Sequence, residues 1–270
     1  MNALLTNFNF LLAFGDEKLL HSIDDAGRRQ LLERIVLTAP GEGAWRALLE
    51  LLASWPDNMA KEQAYDWLDG QLENWPDNIR AVNSSWTFIY SEEGKMSSIA
   101  KIVRSVTISH REQYGNSELK SILNTPEIRD IRTLVIHKSE IYLQGITALA
   151  HSPYLANLTT LALESLILSD EKFDILFAAT NLSRLTRLRL KDVGLNTPRT
   201  ERLLHSPLIR PVRDLELPFN DLDDQTAEIL AASPKLQQLT TLHLQGNFIR
   251  AKGELTLKNK QSEDLLIILE

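Results

Sequence analysis

The sequence has no cysteine among its 270 residues. That absence excludes disulfides, thiolate nucleophiles and cysteine-ligated metal sites, and with them any cysteine-dependent ligase chemistry. Long apolar runs are missing too. The stretch from Met1 to Phe14 is interrupted by Asn2, Asn7 and Asn9 and carries no Lys or Arg ahead of it, which argues against a secretory leader. Nothing approaches the ~20 apolar residues of a membrane span, so the expected location is the cytoplasm. Nor is there a basic excess. Lys and Arg total 29 against 36 Asp and Glu, which makes nucleic acid and anionic membrane unexpected partners. Hydrophobic residues at 43% and charged residues at 24% describe an ordinary globular chain rather than a disordered one.

The charge is unevenly placed. Residues 1–100 carry 8 Lys and Arg against 15 Asp and Glu, whereas residues 101–270 carry 21 of each. The acidic excess therefore belongs to the first hundred residues. The step marks an expected boundary between domains at 1–100 and 101–270.

The second part is periodic. The spacing LxxLxL starts at Ile131/Leu134/Ile136 and returns every 27 residues, at Leu158/Leu161/Leu163, Leu185/Leu188/Leu190, Val212/Leu215/Leu217 and Leu239/Leu242/Leu244. Ile141, Leu168, Leu195, Leu222 and Ile249 add an apolar position five residues after each third anchor. One more unit fits upstream at a spacing of 28, beginning Val103/Val106/Ile108. Anchors two apart point to one side of a short strand. Later in each period come helical patches such as Leu203-Leu204-His205-Ser206-Pro207, with Ser169, Thr197 and Asp223 as expected N-caps. One strand–helix unit cannot bury its own apolar face, but stacked units bury a continuous core behind a parallel sheet.

This pattern resembles leucine-rich repeats, and the 27-residue unit with a full helix is similar to the ribonuclease-inhibitor-type class. The resemblance covers roughly residues 103–265. It implies an α/β solenoid of about six repeats, with a parallel sheet on its concave face and helices on its convex face. The family usually places Asn three residues after the third anchor. Asn220 and Asn247 match and Ser139 is a polar substitute, while Leu166 and Val193 depart, so those two turns must satisfy their backbone differently. Gly253, Lys258, Asn259 and Lys260 break the apolar pattern of the last unit and predict no clean helix there. Leu265–Leu269 is expected to add a terminal strand.

The first hundred residues read as an α-helical domain, with amphipathic stretches near 2–14, 16–23, 26–37, 43–54, 59–73 and 78–86. Trp55-Pro56-Asp57-Asn58 is echoed by Trp75-Pro76-Asp77-Asn78, where Pro ends one helix and Asp or Asn starts the next. Trp45, Trp55, Trp67 and Trp75 predict an aromatic helical cap. Residues 91–98 read as the connecting loop. Ala64-Tyr65-Asp66-Trp67-Leu68-Asp69 is similar to a short helical region that accompanies leucine-rich repeats in some bacterial proteins, which implies a bacterial source.

By resemblance, function falls on the concave face, where residues flanking the inward anchors project. The candidate partner-binding residues are Thr133, Val135, His137, Thr160, Glu164, Arg187, Arg189, Lys191, Asp214, Glu216, Thr241, His243 and Gln245. Their centre sets a basic row beside an acidic row. Such a groove either reads a charged partner, or Arg187–Asp214 and Arg189–Glu216 neutralise each other across neighbouring strands. His151 and His205 occupy the same helix-end position two periods apart, which suits a helix dipole rather than a metal. Asp221, Asp223 and Asp224 lack the glycine and distal glutamate of a calcium loop. Gly41-Glu42-Gly43 is too short for a phosphate loop. No nucleophile–base–acid set assembles by spacing, so catalytic residues, metals and cofactors are expected to be absent. The leading expectation is a non-enzymatic adaptor or recognition module that binds another protein. The alternative is a regulator of an enzyme, or an effector with activity in the helical domain.

Overall fold

The computed structural model describes residues 23–83, 98–109, 116–138 and 140–270. The helical stretches expected near 2–14 and 16–23, the loop at 91–97 and Ser139 lie outside them. The chain divides into two compact units, one of residues 1–81 with 101–103 and the other of 82–100 with 104–270.

In the first unit, α1 (Asp25–Val36), α2 (Glu42–Ser54) and α3 (Met59–Gln71) occupy three of the expected helical stretches. Asp24 caps α1 by accepting from the Gly27 amide at 2.8 Å, and Asn58 caps α3 by accepting from Lys61 at 3.0 Å. Each side chain thereby satisfies an amide that the helix itself cannot pair. The core gathers Leu32, Leu48, Leu52, Trp45, Trp55 and Trp75, all buried. Two tryptophans also find acceptors, Trp45 at the Ala81 carbonyl (2.6 Å) and Trp55 at Asp25 (2.8 Å). Arg80 is buried with its guanidinium spent on the carbonyls of Ile102 (2.8 Å) and Leu72 (2.9 Å). The helix expected over 78–86 is absent from its described part. After Trp75-Pro76 the Ile79 and Arg80 amides fold back onto the Pro76 carbonyl, and the chain leaves this turn as a strand, β1 (Ala81–Asn83).

The second unit is the stacked solenoid that the 27-residue period implies. After β1 its strands are β2 (Ser105–Ser109), β3 (Thr133–His137), β4 (Thr160–Glu164), β5 (Arg187–Lys191), β6 (Asp214–Glu216), β7 (Thr241–His243) and β8 (Leu266–Ile268). They lie in chain order in one sheet, and each neighbouring pair from β2 to β8 is parallel. The register follows the repeat, setting Leu134, Leu161, Leu188, Leu215 and Leu242 side by side. These five are buried, and each contributes about 1.5–3 kcal/mol relative to exposure.

One face of the sheet is packed by α4 (Asn116–Leu123), α5 (Leu143–His151), α6 (Asp170–Phe177), α7 (Thr197–Leu204), α8 (Asp224–Ala232) and α9 (Ala251–Lys258). Their buried faces carry residues such as Ile146, Phe173, Leu203, Leu230 and Leu257. Helix α9 is a departure from expectation. Gly253 does not break it, because the residue meets Asp224 of the preceding repeat. The Asp224 carboxylate accepts from the Gly253 amide at 3.2 Å and from the Arg250 amide at 2.7 Å, and a Cβ on Gly253 would come within 2.5 Å of it. The expected terminal strand is present as β8.

Ser169 and Asp223 are N-caps, Asp223 within a reciprocal box with Thr226. Thr197 is not. Asn196 caps α7 by accepting from the Arg199 amide at 3.1 Å, while the Thr197 hydroxyl bonds Asp223 (3.0 Å) and Thr226 (2.6 Å) of the next repeat. In the turns after the strands, Asn220 accepts from the amides of Val193 (3.1 Å) and Leu195 (3.0 Å), and Asn247 from those of Asn220 (3.0 Å) and Leu222 (3.3 Å). Each Asn thus serves the repeat before its own, so the turn containing Val193 is held from outside although Val193 itself is aliphatic. Leu166 and Val193 are buried as packing residues instead.

Candidate functional site

The face of the sheet opposite the helices is where the sequence placed a site. The parallel register lines its side chains into rows: Thr133, Thr160, Arg187, Asp214 and Thr241 in one, Val135, Ala162, Arg189, Glu216 and His243 in the next. His137, Glu164 and Lys191 form a third. All thirteen residues expected on this face are half-exposed or exposed, while the strand anchors between them are buried. Pro218, which continues the third row by spacing, is buried.

The charges at the centre pair with each other. Arg187 reaches Asp214 at 3.1 Å and Glu216 at 3.7 Å. Arg189 lies between two strands' carboxylates, bonding Glu164 at 2.7 Å on one side and Glu216 on the other. The Arg189–Glu164 contact joins three strands into one network. Burial would lower the Arg189 pKa, but Glu216 and Glu164 more than offset it and hold the guanidinium charged. Burial likewise works to raise the Asp214 pKa, and is outweighed by hydrogen bonds from Thr240 and Arg187 that lower it. Of the two readings open to the sequence, mutual pairing describes Arg187, Arg189, Asp214 and Glu216, and Glu164 adds a third carboxylate to the two arginines. Exposed pairs of this kind contribute about 0–1 kcal/mol each.

Lys191 is different. Among the described residues no carboxylate pairs with it, and its ammonium lies 5.4 Å from the centroid of the Phe219 ring. Phe219 itself is 48% exposed. It occupies a left-handed backbone position (φ 56°) that recurs once per repeat at Lys138, Ser165 and Asp192 and ends at Gly246 (φ 71°). Gly246 also makes room for the ring, since a Cβ there would come within 2.5 Å of it. The result is an aromatic surface held between a lysine and a glycine. Phe219 was not among the residues expected at the site, yet its spacing of 27 from Gly246 was a usable sign. His243 stands beside Glu216 in the register, and its Nε2 is buried without a hydrogen-bond partner among the described residues.

No cluster of potential metal ligands occurs among the described residues. His151 closes its helix through Nδ1 to the Thr147 carbonyl at 2.9 Å, and Asp223 and Asp224 are engaged at helix starts. Among the described residues no helix is long and apolar enough to cross a membrane.

No protein-family model matches the chain, and no curated protein does. Solved structures that match include an internalin of Listeria monocytogenes, at 16% identity over 63% of this chain and 49% of that one, with a TM-score of 0.37. A protein of Bacteroides fragilis matches at 14% identity over 70% of this chain and 69% of that one, also with a TM-score of 0.37. The chain thus spans about half the length of the internalin it matches.

Proposed function

We propose that this chain is a non-enzymatic protein–protein interaction module, an adaptor or recognition protein of the cytoplasm, whose partner contacts the helix-free face of the repeat sheet. The observation that carries the reading is the corner formed by Lys191, Phe219, His243 and Gln245. There a cation without a carboxylate partner among the described residues sits over a held, half-exposed aromatic ring, next to a centre whose two arginines are already paired with carboxylates. Pre-ordered aromatic side chains with a charged neighbour make good anchors for a protein partner, because little side-chain entropy remains to be lost on binding. The paired arginines and carboxylates around them supply shape and register. In the helical unit, Arg80 donates to backbone carbonyls and Trp45, Trp55 and Trp75 pack the core, while Trp67, expected with them, is half-buried under Arg29 at 4.0 Å; this favours a structural role there over catalysis.

The test is affinity capture from native lysate with the intact chain and with a Lys191→Glu, Phe219→Ala variant, each checked for an unchanged thermal transition. A partner kept by the intact chain and lost by the folded variant is the expected result. Equal capture by both would remove the helix-free face as the contact surface.

A further inference from the structure

The loops that lead into the strands carry a second surface. In the loops before β4, β5, β6 and β7 (residues 152–159, 178–186, 205–213 and 233–240) the charged residues are Arg184, Arg210, Arg213 and Lys235, with no Asp or Glu. At the other end of β4, β5 and β6, residues 165–169, 192–196 and 219–223 contain Asp192, Asp221 and Asp223 and no Lys or Arg, while residues 246–250 after β7 contain Arg250. The leading edge of β4 to β7 is therefore basic, between a loop before β3 with Glu127 and Asp130 and a loop before β8 with Glu263 and Asp264. Stacked loops repeat every ~4.8 Å, so the four cations fall within a span on the order of 15 Å.

These cations are not spent on carboxylates. Arg184 donates to the Asn157 side chain (3.0 Å) and Arg213 to the Gln238 carbonyl (2.8 Å). Lys235 is buried and donates to the carbonyls of Val212 (2.7 Å) and Arg210 (3.1 Å). None of the four is in an ion pair among the described residues. Asp214, the carboxylate next in sequence to Arg213, is taken by Arg187 and by Thr240 at 2.7 Å. Burial, helped by Arg213, depresses the Lys235 pKa to about 8.

Beside Arg210 lies a half-open pocket of about 390 Å³ walled by Ala179, Leu182, Pro207 and Pro211. The repeat is locally irregular beside it. In the loops before β4 and β7, Ser152 and Ser233 accept from the amide two residues on and start a 3-10 turn. In the loop before β6, the corresponding Leu208 amide goes to the Phe177 carbonyl, and the buried Ser206 hydroxyl is left without a partner. Asn181 Oδ1, between two other lining positions, is also buried and unpartnered.

We propose that this edge docks an acidic segment of a partner protein, with its carboxylates on Arg184, Arg210 and Arg213 and one apolar side chain in the pocket. Charge complementarity selects the class, and the apolar wall beside Arg210 favours a peptide over a nucleic acid, which has no aliphatic side chain to place there. The proposal stands apart from the helix-free face, because none of its residues lies in those rows.

The experiment is fluorescence polarisation of the full chain with a labelled peptide in which one leucine separates two runs of Asp and Glu. Saturable binding is expected, weakened roughly tenfold by Arg210→Glu or Arg213→Glu and several-fold by replacing the peptide leucine with Asn. It should also weaken as salt rises from about 50 to about 300 mM. Lys191→Glu should leave it unchanged, which separates this surface from the other. Both arginines are exposed, so the variants are expected to fold; Arg210→Gln serves as the milder change if a melt shows otherwise. No saturation by about 1 mM, equal binding by the arginine variants, or tighter binding of a labelled single-stranded oligonucleotide would each overturn the proposal.

Discussion

Asn220→Ala is the perturbation that most directly tests how the repeats are tied together. The Asn220 side chain is 4% exposed and makes five hydrogen bonds to backbone. Its oxygen accepts from the amides of Val193 and Leu195, and its nitrogen donates to the carbonyls of Leu190 (2.8 Å), Leu217 (3.2 Å) and Pro218 (3.2 Å). Truncation removes all five and leaves two buried amides without that acceptor. An unsatisfied buried group costs about 1–3 kcal/mol, and neighbouring losses add less than fully, so the expected loss of stability is about 3 kcal/mol. For a unit of this size that corresponds to a fall in Tm of about 6–12 °C. Asn247 makes the same kind of bonds to Asn220, Leu222, Leu217 and Leu244, but is half-exposed, so water can replace part of what Asn247→Ala removes. Its loss should be smaller, about 1–2 kcal/mol. Urea unfolding followed by far-ultraviolet circular dichroism gives both values, with unchanged m-values as the control for two-state behaviour. A loss below about 1 kcal/mol for Asn220→Ala, or a larger loss for Asn247→Ala, would refute the argument that burial sets the value of this ladder.

Two further outcomes follow from the same geometry. Gly246→Ala combines a left-handed backbone with a clash against the Phe219 ring and should cost about 1–3 kcal/mol, of which Phe219→Ala in the same chain restores the clash part but not the backbone part; a double-mutant cycle in urea measures the coupling. Lys235 binds its proton less tightly folded, at a pKa of about 8, than unfolded, near 10.5. The unfolded chain therefore holds the extra proton between those values, so stability should rise from pH 8 toward pH 10 by about 1–2 kcal/mol; urea titrations with Lys235→Met should flatten that slope, and a slope unchanged by the substitution would refute the assignment.

The strands, their order and their register were legible in the sequence, because side chains alternate in a strand and a slip of one residue would expose Leu134 or Leu161 to water. Ser169 and Asp223 were legible as caps for a similar reason: a short polar side chain before a helical run has one local use. The errors were made where a neighbouring repeat decides the outcome. Helix α9 looked broken because Gly253 reads as a helix breaker when its contact with Asp224 is unknown. Asn196, not Thr197, caps α7 because Thr197 is drawn to Asp223. The helix expected after the second Trp-Pro-Asp-Asn is instead a turn and strand, which local spacing alone did not reveal.

At the site, the sequence by itself determined which residues share a face, since a period of 27 and a strand alternation of two leave little freedom. The tertiary structure decided how those residues use their charge. Arg189 bridges Glu164 and Glu216 across three strands, Lys191 lies over Phe219, and Arg210 borders a pocket. Long side chains reach several neighbours from one backbone position, so their pairing depends on distances of a few ångströms between repeats. The period of a sequence does not contain those distances.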